Sequence, residues 1–300
     1  MTHQNQDSSF PECNSVDRSV LELLQLGDTV AKSKATVLIS GEAGCGKKTF
    51  AHYIFQKSQR AQKKLKILNI KDLSKGEQLA SLETALTEAL GGTLVLAEVG
   101  YLSSAAQGRL FQAIQDNADV RFLVTTSRNL NLLVKQNEFR EDLFYRLNVV
   151  NVKIPNLAER IGDIEFYARH FVAKWAQVHH KGTLELSSDA IQLLNSHRWP
   201  GNIRELESTL ERAVLLAEGG LIRAKQIQIQ VVTDGKATLE QAVLSSWKPG
   251  RTLNEIERNV ILEALKHHSG NRTHTAKALG ISIRTLRNKL AEYRVMGIHA

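Results

Sequence analysis

The sequence predicts an α/β domain built on a parallel β-sheet, followed by two units that are entirely α-helical. Three observations support this fold class. Short apolar runs alternate with helical patterns through the first half of the chain, which is typical of a parallel sheet covered by helices on both faces. From residue 157 to about residue 221 the apolar spacing is helical only. A second compact helical pattern begins at Leu253.

The predicted strands are the five apolar runs of the first half, which are Ala35–Ser40, Leu65–Ile70, Gly91–Val99, Val120–Ser127 and Val149–Pro155. The polar start of the chain, "MTHQNQDSSF", makes residues 1–17 a disordered or loosely attached arm. We expect the α/β domain over residues 18–156 and the first helical domain over 157–232. The breaks "TDGK" and "WKPG" indicate a linker over 233–250, before the last helical domain over 251–300.

The composition is that of a globular protein outside the membrane and secretory classes. The 300 residues are 42% hydrophobic, yet no apolar run approaches the roughly 18 residues needed to span a membrane. The polar N-terminus is unlike a signal peptide, so a cytoplasmic location is expected. Cys13 and Cys45 are too few for a disulfide framework, and neither has a metal-ligand spacing, so no metal site is predicted.

Positive charge is concentrated at the C-terminal end. The net charge is +8, and the last 50 residues hold nine Lys and Arg against four Asp and Glu. A basic terminal segment favours nucleic acid as a partner. Charge alone leaves a merely solvated surface as an equal alternative.

The segment "SGEAGCGKKTF" is a candidate phosphate-binding loop. Gly41, Gly46 and Lys47 fit the G-x4-G-K pattern, with a predicted strand before it and a helix after it. Backbone N–H groups of such a loop surround phosphates, and the lysine reaches the outer ones. The alternative is an ordinary glycine-rich turn. One position departs from the pattern, because Lys48 stands where Ser or Thr is usual.

Several motifs together resemble the sigma-54 activators, the NtrC-like bacterial enhancer-binding proteins of the AAA+ class. The loop is similar to the family's GESGTGKE, and "GGTLVLAEVG" is similar to GGTLFLDEIG. Three further segments match nearly letter for letter: "FREDLFYRLNVV" (Phe139–Val150), "WPGNIREL" (Trp199–Leu206) and "GNRTHTAKALGISIRTLRNKL" (Gly270–Leu290). The resemblance covers about residues 18–295 and includes no receiver domain.

The resemblance implies an AAA+ domain with a helical lid, ATP or ADP as cofactor, and a role for each matching residue. Glu98 would activate water, and Asn69 would gate that glutamate. Arg140 and Arg146 would reach a neighbouring subunit's phosphate. The implied nucleotide-binding set is Gly41, Gly44, Gly46, Lys47, Lys48, Thr49, the phosphate sensors Thr126 and Ser127, and the lid arginine Arg204.

Departures from the family pattern indicate a degenerate member. Ala97 replaces the aspartate of the acidic pair, and Lys48 replaces a glutamate, so magnesium binding should be weak or absent and hydrolysis poor. The GAFTGA loop that contacts sigma-54 is missing, as is a second inserted hairpin. Residues 71–90 instead predict one uninterrupted helix with its apolar stripe at Leu79, Leu82, Leu86 and Leu90.

The C-terminal segment has helix-turn-helix spacing and resembles a Fis-type domain. Ala276 is small where two helices would cross, and Gly280 lies at the turn. We expect Ile283, Leu286 and Leu290 to face inward, with Ser282 capping the second helix. The outer faces carry the candidate DNA-binding residues, which with Ser282 are Arg284, Thr285, Arg287, Asn288 and Lys289. A bare helical hairpin is the alternative.

The spacing of these residues along the helix predicts which of them contact bases and which contact the DNA backbone. Arg284 and Asn288 lie four apart near the helix start, so we expect them to reach base edges, while Arg287 and Lys289 grip the backbone. The preceding helix, with Leu253, Ile256, Val260, Ile261 and Leu265 on one stripe, would form a dimer by family analogy.

Three functional readings remain open. The first is a DNA-binding regulator on an AAA+ scaffold that does not remodel sigma-54 polymerase, acting alone or within an active paralogue's ring. The second is a working ATPase activator. The third is a structural subunit with a vestigial DNA unit. The expected partners are duplex DNA and a second copy of the chain, with no membrane.

Overall fold

The computed structural model describes residues 14–116, 119–229, 253–267 and 271–295. The chain divides into two compact units between residues 229 and 230. The arm residues 1–13 and the predicted linker 233–250 lie outside the described residues, so their predictions stay untested.

The first unit is built on a five-stranded parallel sheet, which confirms the predicted α/β class. The order is β2-β3-β4-β1-β5. The central strands β3 and β4 are buried throughout, as expected for a sheet covered on both faces. The strands are β1 (Val37–Ser40), β2 (Leu65–Asn69), β3 (Thr93–Ala97), β4 (Arg121–Thr126) and β5 (Val150–Lys153).

Helices cover both faces of this sheet. One face packs against α1 (Arg18–Ala31) and α2 (Lys47–Gln56). The other face packs against α3 (Gln78–Glu88), α4 (Ser104–Gln115), α5 (Leu130–Lys135) and α6 (Glu141–Leu147). Alternation along β1 shows the arrangement, since Val37 and Ile39 face the first layer and Leu38 faces the second.

The helical lid follows and has its own core. Its helices are α7 (Ile161–Val178), α8 (Ser188–Ser196) and α9 (Asn202–Leu215). Two short strands, β6 (Glu185–Leu186) and β7 (Leu221–Ile222), pair in parallel, so the expectation of a purely helical segment was wrong there. Trp199 lies in the lid core, where its indole Nε1 donates to the Leu194 carbonyl at 2.9 Å.

The segment between β2 and β3 differs from the single helix that was predicted. A 3-10 turn over Ile70–Asp72 comes first, and α3 begins only at Gln78. Before α3, the backbone N–H and the hydroxyl of Ser74 both donate to the Glu77 carboxylate. Leu82 and Leu86 are buried as predicted, whereas Leu79 and Leu90 are exposed.

Part of the predicted loose arm is fixed to the lid. Asp163 is fully buried and accepts hydrogen bonds from the Ser15 hydroxyl and from the backbone N–H groups of Val16 and Asp17. The Tyr167 hydroxyl donates to the Asn14 carbonyl. For residues 14–17 the expectation of loose attachment was therefore wrong, because a buried carboxylate needs these donors.

The second unit contains a small three-helix core made by α10 (Leu253–His267), α11 (Arg272–Ala278) and α12 (Ile283–Val295). Ala276 and Leu286 are buried in it as predicted, but Ile283 is 39% exposed. Ile283 is the first residue of α12, ahead of the turn that packs on the core. Ile261 and Leu265 fill this same core, so two members of the predicted dimer stripe are used inside one chain.

Candidate nucleotide site and nucleic-acid interface

The candidate phosphate loop lies between β1 and α2, as predicted. Gly44 and Gly46 have left-handed φ angles of 79° and 104°. A Cβ at Gly44 would clash with the Gly201 carbonyl oxygen, so this position needs glycine for space as well as for conformation. The loop leads directly into the first turn of α2, whose backbone N–H groups favour an anion.

Lys47 is held across the loop. Its side chain is only 6% exposed, and its ammonium donates to the carbonyls of Gly41 and Glu42, both at 2.8 Å. The same nitrogen lies 3.2 Å from the Glu98 carboxylate. The lysine is thus in place to meet a phosphate without a large movement.

Glu98 follows β3 in a left-handed conformation, with a φ of 64°. Its Oε2 accepts from the Ser127 backbone N–H at 2.8 Å and from the Ser127 hydroxyl at 2.6 Å. Burial opposes ionisation, but these hydrogen bonds and the Lys47 charge outweigh it and hold the pKa of Glu98 below its ordinary value. A carboxylate stabilised in this way is a weak general base.

Asn69 does not contact Glu98 in this structure. Its amide nitrogen donates to the Asp72 carboxylate, and its Oδ1 is buried with no partner among the described residues. The gating role that the resemblance assigns to Asn69 remains a prediction.

A cavity of about 760 Å³ opens at the carboxyl end of the sheet, a volume within the range of small-molecule sites. Aliphatic and aromatic side chains of α1 and α7, among them Val20, Leu23 and Phe171, line its apolar wall. It brings together most of the predicted site residues: Gly44, Gly46, Lys47, Lys48, Thr49, Asn69, Glu98, Ser127 and Arg204.

Four predicted residues do not line this cavity. Gly41 begins the phosphate loop, where its carbonyl accepts a hydrogen bond from Lys47. Thr126 is buried, and its hydroxyl bonds the backbone of Arg128, because alternation along β4 turns Thr125 and Ser127 toward the cavity instead. Arg140 is half-exposed outside the cavity, where hydrogen bonding to Asp142 raises the pKa of its guanidinium. Arg146 is exposed at the end of α6.

Two buried residues of the site were missed by sequence reasoning. Arg160 is 2% exposed and donates to the Cys45 carbonyl in the phosphate loop at 2.7 Å, while pairing with Asp163. Asn202 is fully buried, with a left-handed φ of 53°. The motif "WPGNIREL" contains Asn202, but the family resemblance assigns a role to Arg204 alone.

Asn202, at the start of α9, joins the lid to the phosphate loop through the nitrogen of its side-chain amide. Its Nδ2 donates to the Glu42 carboxylate at 3.0 Å and to the Ala43 carbonyl at 3.1 Å. Its Oδ1 accepts from the Leu157 backbone N–H at 2.7 Å. A movement of the phosphate loop would therefore change its hydrogen bonds to the lid.

The residues present do not fit a magnesium ion. Ala97, at the end of β3, is fully buried and offers a methyl group. Both oxygens of Glu98 already have partners, and Lys48 brings a positive charge into the cavity. Among the described residues no group of three or more His, Cys, Asp or Glu side chains could hold a metal. Magnesium prefers several oxygen ligands, including one or two carboxylates.

The helix-turn-helix has the local geometry its sequence predicts. Gly280 is left-handed with a φ of 66°, and the Ser282 hydroxyl accepts from the Thr285 backbone N–H at 3.0 Å. The exposed face of α12 carries Arg284, Thr285, Arg287 and Asn288. Lys289 is different, because it is half-buried and its ammonium pairs with Glu257 of α10 at 2.9 Å.

Three segments of the chain match known protein families. Residues 19–157 match the sigma-54 interaction domain, 158–243 the AAA+ ATPase lid domain, and 252–293 the bacterial regulatory proteins of the Fis family. The transcriptional regulatory protein FlbD of Caulobacter vibrioides is 37% identical over 94% of this chain and 70% of its own length. The chain belongs to the sigma-54-dependent transcriptional regulators. The resemblance drawn from its motifs is thereby confirmed.

Two other relatives are covered less completely. ZraR of Escherichia coli is 36% identical over 87% of this chain, and AtoC of the same organism is 34% identical over 89%. The chain spans 64% of the length of each.

Solved structures agree with the fold. NtrX from Brucella abortus, in complex with ADP, matches with a TM-score of 0.68 and 26% identity over 93% of this chain and 68% of its own. RuvB, the Holliday junction branch migration motor of Thermotoga maritima, shares the fold at a TM-score of 0.51 and 19% identity over 90% of this chain and 83% of its own. No helix within the described part of the chain is both long and apolar enough to span a bilayer.

Proposed function

We propose that this chain is a DNA-binding transcriptional regulator whose AAA+ domain binds ATP or ADP with little or no hydrolysis. In this proposal it does not itself remodel sigma-54 polymerase. The observation that carries the proposal is the pairing of an intact phosphate loop and Lys47 with Ala97 and Lys48 beside them.

Nucleotide binding is supported by the cavity and by a relative. The loop, Lys47 and Arg204 line one cavity next to an apolar wall, which suits a phosphate chain attached to a base. NtrX, which shares this fold and family, has been crystallised with ADP and with ATP.

Weak hydrolysis follows from the groups around the site. Glu98, the only candidate base that the motifs assign, is bonded to Ser127 and paired with Lys47. Ala97 and Lys48 supply neither carboxylate nor hydroxyl to a metal ion, and metal ions contribute several kcal/mol to phosphoryl transfer. Each 1.36 kcal/mol lost is about a tenfold loss of rate.

Duplex DNA binding is supported by α12. Arg284, Arg287 and Asn288 stand exposed on one helix that a capped turn sets against the core. A recognition helix in the major groove needs such a face, with basic side chains for phosphates and amide or guanidinium groups for base edges.

The lack of sigma-54 remodelling rests on the connection between β2 and β3. Among the described residues, a 3-10 turn and α3 fill this connection, where the family's contacting loop would stand. Gln78 fastens the start of α3, since its amide bonds the Tyr101 carbonyl and the Ser103 backbone N–H. A fastened helix offers no free loop to a polymerase.

Two alternative functions are each supported by a specific observation. Family membership favours an ATP-hydrolysing activator. Exposed Arg140 and Arg146 favour a regulatory subunit that completes the site of an active paralogue in a mixed ring. The mixed ring predicts ATPase activity for the mixture that exceeds the activity of the paralogue alone.

The test of the proposed function is a pair of binding measurements on the purified chain. Selection from random duplexes should yield a roughly palindromic site whose affinity falls steeply with salt. Mixing with sigma-54 and ATP, ADP or ADP plus metal fluoride should give no complex on a native gel. A trapped complex would support the activator reading, and a folded chain without salt-dependent DNA binding would support a purely structural subunit.

A further inference from the structure

The acidic side chains that line the nucleotide cavity are already engaged. There are three: Asp72 accepts from Asn69, Glu98 from Ser127 and Lys47, and Glu207 from Lys174. A divalent cation would have to displace one of these neighbours to gain a carboxylate ligand. At position 97, where an acidic ligand would lie at the end of β3, the only side-chain atom is a buried methyl carbon.

Basic side chains outnumber the acidic ones in the same cavity. Lys48 and Arg204 line it and have no side-chain partner among the described residues. The other basic groups, His170 aside, are Lys47, Lys71 and Arg160, which have partners of their own. The cavity charge that no carboxylate neutralises is therefore positive and lies on Lys48, Arg204 and Lys71, whose partner is the neutral Tyr101 ring.

The positive charge of Lys48 destabilises the folded protein unless an anion is bound near it. It occupies the first turn of α2, directly after Lys47, where the helix dipole already concentrates positive potential. A second cation there repels both the helix end and a divalent metal ion. It attracts a phosphate, and charge-assisted hydrogen bonds from an ammonium to phosphate are strong ones.

From this arrangement we infer that the chain binds ATP or ADP without a divalent metal ion, with the Lys48 ammonium as the fixed cation that faces the phosphates. The inference rests on the proposed nucleotide binding and adds which form of the nucleotide is bound. Free ATP is the ligand, and the magnesium complex of ATP is the poorer one, because its metal ion would be brought toward Lys48.

Equilibrium binding of ATP to the full chain tests this inference, by calorimetry in EDTA and in excess magnesium. Wild-type protein should bind ATP at least as tightly in EDTA as in magnesium. Lys48→Ala should weaken binding in EDTA by about tenfold, the effect of one charge-assisted hydrogen bond. Lys57→Ala, which removes a lysine from the other end of α2, is the matched control and should bind like the wild type.

A second variant tests the same idea in reverse. Lys48→Glu with Ala97→Asp restores two carboxylates, so its ATP binding should become dependent on magnesium. Circular dichroism and thermal unfolding show that each variant is folded.

The outcomes separate the inference from the proposed function. If wild-type binding needs magnesium, or if Lys48→Ala binds ATP in EDTA as tightly as wild type, the inference is overturned and nucleotide binding stands. If no ATP binds in either buffer, both the inference and the nucleotide part of the proposed function fail.

Discussion

Two side chains of the candidate nucleotide site, Lys47 and Glu98, are held in place by hydrogen bonds. Lys47 is prepositioned by two carbonyls, while Glu98 is tied to Ser127. The lysine is ready for a phosphate, and the glutamate is not free to move toward a water molecule. Substitution of Lys48 or of Glu98 should change the stability of the protein in a measurable way.

Lys48→Ala should stabilise the protein when no nucleotide is present. Removing a positive charge from the first turn of α2 should raise the free energy of unfolding by roughly 0.3–1 kcal/mol, because it relieves repulsion with the helix dipole and Lys47. Lys57→Ala, at the other end of the helix, should lower it slightly. Urea unfolding of both variants measures this, and a loss of stability in Lys48→Ala would contradict the argument.

Glu98→Gln should make stability less dependent on pH. The pKa of Glu98 lies below its ordinary value of 4.5, so ionised Glu98 stabilises the fold above that pH, and the effect is lost as pH falls through the lower folded-state pKa. The stability gap between wild type and variant should be widest near neutral pH and should close in acid. Urea midpoints measured across this range would disprove it if the gap stayed constant.

What the sequence could predict depended on how local the signal was. The strands, the phosphate loop and the cap at Ser282 lie in short contiguous patterns. The Asn202 bond to Glu42 joins residues 160 apart, and the Arg160 bond to Cys45 joins residues 115 apart, so no local pattern contains either. Thr126 shows a finer limit, because a shift of one residue along a strand exchanges the face that meets the cavity.

At the scale of elements, the lid and the phosphate loop are joined by buried polar contacts. Ile203 donates its backbone N–H to the Gly44 carbonyl at 3.1 Å, next to the Asn202 amide. The lid therefore contacts the phosphate loop directly. The segment 14–17 is connected to the loop through Asp163 and Arg160.

Asn202→Asp should uncouple the lid from the loop. The new carboxylate would keep the bond from Leu157 but would face Glu42, and the lost donor and added repulsion should cost about 2 kcal/mol or more. Adding Glu42→Gln should restore much of this stability, since a glutamine amide can donate to Asp at position 202. Thermal unfolding of the single and double variants gives the coupling energy, and strictly additive effects would refute the contact.

We predict distinct effects on DNA binding for substitutions at three positions of α12. Arg284→Ala should weaken specific binding by about 1–3 kcal/mol and blur sequence preference, whereas Arg287→Ala should weaken all sequences alike and flatten the salt slope by about one. Lys289 was expected to contact phosphate, but its ion pair with Glu257 now predicts that Lys289→Ala leaves the slope unchanged. Salt titrations of the three variants decide, and a flatter slope for Lys289→Ala would restore the original expectation.

At the scale of the whole molecule, the proposal separates two activities that the family model joins. The C-terminal unit has an exposed basic helix face, and the N-terminal unit has a nucleotide cavity without a metal site among its described residues.

Steady-state ATP hydrolysis by the purified chain distinguishes nucleotide binding without turnover from a working ATPase. The assay compares wild type with Lys47→Ala in excess magnesium, with and without duplex DNA. We predict that the wild type releases no more phosphate than Lys47→Ala under either condition. Sustained magnesium-dependent hydrolysis that Lys47→Ala abolishes would contradict the account and identify the chain as a working ATPase.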